Sequence, residues 1–323
     1  MDPALPSPVM STSSPRPFRF TIQASRLGHP DELRPLARKA EDLGVAVLTV
    51  ADHLDDQVAP IAALMAVADA TTTLRVGSLV FANDYRHPVV LAKEAATIDV
   101  LSGGRLEFGI GAGWMAEDYL AAGITMDRPG VRIARLEEAL QIIIGLWGDG
   151  PVDLHGEHYR VTALEGQPKP AQRPRPPIVI GGGGKKVLAL AGRYADIVGL
   201  NPDLRAGVID STAGPSATAA ATEAKIAVVR DAAGERFDQI ELQARIHMAI
   251  VTDERDAMFE LFAHGFGIST DEARHTPHAL CGTVDDIIED LVERRERFGI
   301  STIGLSASAL DDLAPVIARL AGT

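Results

Sequence analysis

The chain has 323 residues, 46% of them hydrophobic and 23% charged, values ordinary for a soluble globular protein with a sizeable core. Lys and Arg total 31 against 44 Asp and Glu, and the net charge of −13 argues against nucleic acid or an anionic membrane as partner. An anionic ligand must therefore be drawn in locally, by backbone N–H groups and a few placed cations.

In chain order, residues 1–17 come first, rich in Pro and Ser and without the apolar core of a signal peptide. They read as a disordered leader ahead of a single domain over 18–323. No apolar run approaches the ~20 residues of a membrane span. Strand-like and helix-like segments then alternate: strand Phe18–Ala24, helix Asp31–Leu43, strand Val45–Ala51, helix Val58–Ala70, strand Leu74–Phe81, helix Pro88–Val100, strand Arg105–Ile110 and helix Val131–Trp147. From 148 to 177 the pattern breaks into an irregular, Gly- and Pro-rich piece, which reads as an inserted functional segment. Alternation resumes with strand Ile178–Gly181, helix Lys186–Tyr194, strand Ile197–Leu200 and helix Ser216–Ala233. Strand Ile240–Val251, helices Glu254–His264 and Asp285–Phe298, strand Thr302–Ser306 and helix Ala309–Leu320 close the chain. This order specifies a parallel sheet with crossover helices, and about eight strands suit a TIM (β/α)8 barrel. A doubly wound open sheet is the alternative, disfavoured because no Gly-x-Gly-x-x-Gly follows the first strand.

At the C-terminal ends of these strands, where a barrel builds its active site, four features carry chemistry. Asp52-His53 follows the second strand. The imidazole suits proton exchange near neutral pH, and the acid can orient it, bind a cofactor, or simply cap the next helix. Gly77 to Asn83 leaves the third strand. Gly109-Ile110-Gly111-Ala112-Gly113-Trp114 leaves the fourth, and its glycines at period two free one face for a flat group. Gly181 to Gly184 with Lys185 and Lys186 leads into a helix and outlines an anion cradle suited to phosphate; a flexible hinge is the plainer alternative.

His155/His158 and His275/His278 are each spaced i, i+3, yet no ligand set is completed, and they read as solvated loop residues with no metal implied. Trp147 reads as core, and Arg294 to Arg297 as a solvated, ion-paired helix face. Cys281 is the only cysteine; it excludes an intrachain disulfide, reads as an inert small residue, and fits a cytoplasmic protein.

Taken together these stretches resemble the luciferase-like monooxygenase superfamily and, within it, the coenzyme F420-dependent oxidoreductases of actinomycete type. The matching residues are Ala51-Asp52-His53, Arg75-Val76-Gly77-Ser78, His87 to Lys93, Ser102-Gly103-Gly104-Arg105, and Gly109 to Trp114 with Glu117. Pro168-Lys169-Pro170, Pro177 to Gly182 and Leu280-Cys281-Gly282-Thr283 complete the match. The resemblance implies a TIM barrel with an insertion after its fourth strand-helix unit and a flavin-like cofactor across the mouth. It implies a non-prolyl cis peptide at Ser78-Leu79 behind the deazaflavin, with Asn83 in the same loop. Further, it implies Gly111, Ala112 and Gly113 beside the ring, and the phosphate at Gly183, Gly184, Lys185, Lys186 and Val187. His53 matches the family's proton donor and Asp52 a cofactor-contacting acid. One departure stands out. Trp114 occupies the place where F420-dependent sugar-phosphate dehydrogenases carry a glutamate that accepts the proton. An indole cannot accept one, so glucose-6-phosphate oxidation is disfavoured and an aromatic wall suits a flatter, more apolar substrate.

The expectation is an enzyme moving a hydride between F420 and a small organic substrate, by reduction of an activated C=C or C=N bond. An FMN-dependent monooxygenase and a non-catalytic flavin-binding protein are the alternatives, since one fold hosts all three. A homodimer is expected from the apolar helices and the resemblance.

Overall fold

The computed structural model describes residues 15–24, 29–204, 207 and 211–323; most of the expected leader lies outside the described residues. Eight strands form a closed parallel barrel: β1 Arg19–Gln23, β2 Val47–Val50, β3 Arg75–Ser78, β4 Leu106–Gly111, β5 Ile178–Gly182, β6 Ile197–Leu200, β7 Glu241–Arg245 and β8 Ile300–Ser306. Each pairs with its neighbours in sequence, and β8 returns to β1 with Arg19 opposite Thr302. The TIM-barrel expectation holds.

Along each strand, residues alternate between two environments. Phe20, Ile22, Leu48, Val76, Phe108 and Ile180 point outward and are buried under the helices. These include α1 Leu33–Asp42, α2 Pro60–Ala70, α3 Pro88–Leu101, α4 Ala116–Ala122, α5 Pro129–Trp147, α6 Lys185–Tyr194 and α7 Ala219–Ala233. Trp147 belongs to this core, as expected. Its ring meets Phe108 edge-on at 5.0 Å and its Nε1–H donates to Ala92 O at 2.9 Å. Inside the barrel the layers are polar. Near the N-terminal ends of the strands, Arg19 pairs with both Glu107 and Glu241, and Arg75 pairs with Glu107. Above them Gln243 donates to Thr21 Oγ1 at 3.1 Å.

Four sequence expectations are corrected. The 148–177 segment is not irregular throughout: Pro151–His155 and Arg160–Glu165 form an antiparallel hairpin. Its turn is held by Glu138, whose carboxylate accepts from the N–H groups of Glu157, His158 and Tyr159 at 2.8–3.0 Å. The single strand expected over 240–251 is two. The chain leaves the barrel after Arg245, and Met248–Val251 pairs instead with Ala279–Gly282. His278 is not a solvated loop residue. It is fully buried, with Nδ1 2.9 Å from Arg245 O. Arg294 also departs from the expected solvated face, at 5% exposure with Asp290 3.6 Å away.

Candidate active site

His53 sits in the loop after β2, half-buried, with its ring edge-on to Trp114 at 5.6 Å between centroids. Its carboxylate partner is not the adjacent Asp52 but Asp118, from the first turn of α4: His53 Nδ1 lies 2.7 Å from Asp118 Oδ2. The same carboxylate accepts from Leu54 N–H at 3.2 Å and from the Tyr85 hydroxyl at 3.2 Å. A carboxylate that collects donors places the ring hydrogen on Nδ1 and leaves Nε2 for the cleft. Burial, reinforced by Asp118, pushes the Tyr85 phenol well above its ordinary range, so it stays a donor.

Asp52 has other work. It is 5% exposed and accepts from Ala82 N–H at 3.0 Å and from both terminal nitrogens of Arg86. The pair locks the loops after β2 and β3 together, so the expected orienting role toward His53 is corrected. Adjacent residues of an extended segment point to opposite sides, which keeps the Asp52 carboxylate away from the imidazole.

A cleft of about 260 Å³ opens at this end of the barrel. Of the expected site residues, Asp52, His53, Leu79, Gly111, Ala112, Gly113, Trp114, Gly183, Gly184 and Val187 line it. Ser78, Asn83, Lys185 and Lys186 do not. Ser78 is buried, with Oγ donating to Gly109 O at 2.7 Å, and Asn83 is buried with Nδ2 donating to the Tyr159 hydroxyl at 3.2 Å. Lys185 and Lys186 are exposed on the first turn of α6.

The period-two glycines serve the protein's own packing. A Cβ on Gly109 would sit 1.9 Å from Ser78 O, on Gly111 2.8 Å from Val80 Cγ2, and on Gly113 1.8 Å from Tyr119 Oη. The space on the Cβ side of these glycines, expected to be free for a flat group, is thus taken up by the end of β3 and its loop and by α4, while the backbone of Gly111, Ala112 and Gly113 still borders the cleft. The cis peptide lies one bond later than expected, at Leu79-Val80. β3 keeps its ladder through Ser78, which stands opposite Val50, and Leu79 N–H still donates to Val50 O at 2.9 Å, so the irregular geometry begins after Leu79.

The cradle expected at 181–184 has the right shape for an anion. Gly184 caps α6 without any side-chain hydrogen bond, and a Cβ there would meet nothing within 4 Å. A Cβ on Gly183 would lie 2.3 Å from Pro202 O, so only glycine lets the two loops approach. Bare N–H groups at a helix start, open on one side, are what a phosphate needs.

Besides Asp118, the sequence reading missed Arg132 and Lys225. Arg132, 6% exposed and lining the cleft, donates to Gly113 O at 2.7 Å and Ala112 O at 3.3 Å, fixing the backbone of the floor. Lys225 donates to Asn201 O at 2.7 Å and to Ser216 O, and steadies the wall after β6; burial lowers its amine to about 8. Asp118 alone left a signal, an acidic Glu117-Asp118 pair just after the glycine loop.

Comparison with known proteins now adds to this geometry. A family model described as luciferase-like monooxygenase matches residues 10–297. An F420-dependent glucose-6-phosphate dehydrogenase of Nakamurella multipartita is 31% identical, the match covering 76% of this chain and 71% of that protein. An FMNH2-dependent dimethylsulfone monooxygenase of Pseudomonas putida is 27% identical over 85% of this chain and 76% of its own. Among solved structures, the F420-dependent tetrahydromethanopterin reductase of Methanopyrus kandleri superposes with a TM-score of 0.75 at 18% identity, covering 94% and 96% of the two chains, and so shares the fold. The chain belongs to the luciferase-like monooxygenase family of enzymes.

Proposed function

We propose that the chain is an F420-dependent oxidoreductase that reduces an activated C=C or C=N bond of a small organic substrate. The observation that carries this reading is His53: one nitrogen is tied to Asp118 and the other is left for a cleft that ends in the uncapped start of α6. The cleft fits such a cofactor, with the Gly183-Gly184 backbone and the first N–H groups of α6 suited to its phosphate and the Gly111–Gly113 backbone beside its ring. When bound, F420 supplies a hydride-carrying deazaflavin carbon. The protein's own residues do the rest. His53 holds and delivers the proton from Nε2, Asp118 steadies the imidazole through Nδ1 and stabilises its charged form, and Trp114 walls the cleft against water. The Trp114 indole can accept no proton, which disfavours the sugar-phosphate oxidation named for the Nakamurella relative. A second reading, an FMN-dependent monooxygenase, is favoured by the Pseudomonas relative; a non-catalytic flavin binder on the same barrel is the third.

Fluorescence titration of the purified chain separates the two cofactors. F420 is expected to bind more tightly than FMN. Lys185→Ala with Lys186→Ala is expected to weaken either, less visibly at high salt because both lysines are exposed. Tight FMN binding with no F420 binding would replace the first reading by the second.

A further inference from the structure

The polar interior of the barrel ends in a cation that no carboxylate among the described residues pairs with. On β7 the strand register turns Glu241, Gln243 and Arg245 inward, while Leu242 and Ala244 are buried against the helices. At the closed end every inward arginine is paired: Arg19 with Glu107 and Glu241, Arg75 with Glu107. Arg245, at the open end, has only neutral acceptors. Its Nη1 donates to Gly304 O at 3.3 Å and its Nη2 to Ser306 Oγ at 3.0 Å, and among the described residues no carboxylate pairs with it. Among the described residues its surroundings add no negative charge that raises it. Burial lowers the Arg245 guanidinium to about 10 with no acid acting against it, and the neighbouring His247 imidazole is lowered to about 4, by burial first and then by Arg245. The Nε2 atoms of His247 and His278 are buried without a hydrogen-bond partner among the described residues.

A partly buried cation with no counter-charge among the described residues, placed at a barrel mouth, is suited to receive one. We propose that Arg245 anchors an oxyanion of the substrate, a carboxylate or a phosphate, on the side of the mouth opposite His53. The two bonds to Gly304 and Ser306 use two of the five N–H donors of a guanidinium, and the remainder form a planar fork suited to two oxygens. Ser306 Oγ stands beside the fork, and Gln23 pairs with Ser306 in the β1–β8 register. The whole molecule carries −13, so an anionic substrate is not attracted by the protein at large and depends on such a local cation. The reacting end would then lie toward His53 and Trp114 in the cleft, and the charged end toward β7 and β8, beyond the residues that line the cleft. This placement rests on the hydride-transfer reading of the mouth; the binding of an oxyanion does not.

Calorimetric titration of the full chain with inorganic phosphate and with acetate tests it, in a Lys185→Ala/Lys186→Ala background that weakens the cradle at α6. Binding is expected in the background chain and should weaken about tenfold or more on adding Arg245→Gln, the usual worth of a charge-assisted hydrogen bond. Preference for phosphate points to a phosphorylated substrate, preference for acetate to a carboxylic acid. In the otherwise wild-type chain, Arg245→Gln should leave F420 affinity within about twofold. Anion binding unchanged by Arg245→Gln would overturn the proposal. So would an F420 affinity that falls as it does in the double-lysine variant, because the anion would then be the cofactor's own. If Arg245→Gln does not fold, Arg245→Lys, which keeps the charge without the fork, is expected to bind the anions more weakly than arginine; equal or tighter binding overturns the assignment. No cofactor enters the anion titration, so failure of the F420 reading and failure of the oxyanion site are separate results.

Discussion

His53 works through a partner that sequence adjacency did not reveal. The Asp52-His53 dipeptide marked the imidazole, but its carboxylate arrives 65 residues later, on α4, and only the closed barrel brings the two within 2.7 Å. Asp52 instead braces Arg86 and Ala82. The two acids should therefore fail in different ways. His53→Ala is expected to leave F420 affinity nearly intact and lower turnover roughly 10²–10⁴-fold. Asp118→Asn offers one acceptor oxygen to three donors and can turn an amide N–H toward Nδ1, inverting the tautomer. A loss of about tenfold or more in kcat at unchanged KM is expected, partly restored by Asp118→Glu. Asp52→Asn leaves the Arg86 guanidinium short of its acid and should cost about 1–3 kcal/mol of stability, read as a lower urea midpoint. Steady-state kinetics beside urea melts on the four variants check this; a kcat loss in Asp52→Asn equal to that in Asp118→Asn would return Asp52 to the imidazole.

At the scale of elements, long periodic helices and buried strands were legible, and short or composition-masked ones were not. The hairpin at 151–165 hides among prolines and glycines, with only Val152, Leu154 and Val161 to suggest alternation. The break after β7 was invisible because Ile246, Met248 and Ile250 continue the apolar alternation; Ile246 N–H gives its last barrel bond to Gly304 O at 2.8 Å before the chain departs. α4 spans seven residues, too few for periodicity to speak, and it carries Asp118. One loop anchor also escaped the sequence and has a measurable signature. Glu41 on α1 accepts from the N–H groups of Thr72, Thr73 and Leu74 just before β3, and these bonds, that of Thr73 foremost, lower its carboxyl from 4.5 to about 2. The folded-state value lies below the unfolded one, so its contribution is full above pH 4.5 and is lost as pH falls toward 2. Glu41→Gln is expected to flatten that part of the acid dependence. Urea midpoints between pH 2.5 and 5 measure it, and an identical slope in the variant would assign the acid sensitivity to other carboxylates.

The whole molecule follows from an alternation of strand and helix that closes after eight strands, and that much was plain in the sequence. Less plain was a barrel lined by Arg19, Glu107, Gln243 and Arg245, although Arg19-Phe20-Thr21-Ile22-Gln23 and Glu241-Leu242-Gln243-Ala244-Arg245 both alternate polar with apolar residues. Such alternation fits a sheet wet on one side as well as a barrel with a polar lumen, and only ring closure separates the two. The outer surface bears on the expected homodimer. On α3, Val90 is 51% exposed and Leu101 64%, eleven residues or three turns apart and so on one face, with Val100 at 43% beside them. We propose that a second copy of the chain packs on these exposed apolar side chains, which flank Lys93, Glu94 and Thr97 on the same face. Light scattering is expected to give about twice the 34.2 kDa of one chain, and Val90→Glu with Leu101→Glu to return it to 34.2 kDa with the fold intact by circular dichroism. A wild-type mass of 34.2 kDa would remove the dimer, and a variant that stays dimeric would move the interface off α3.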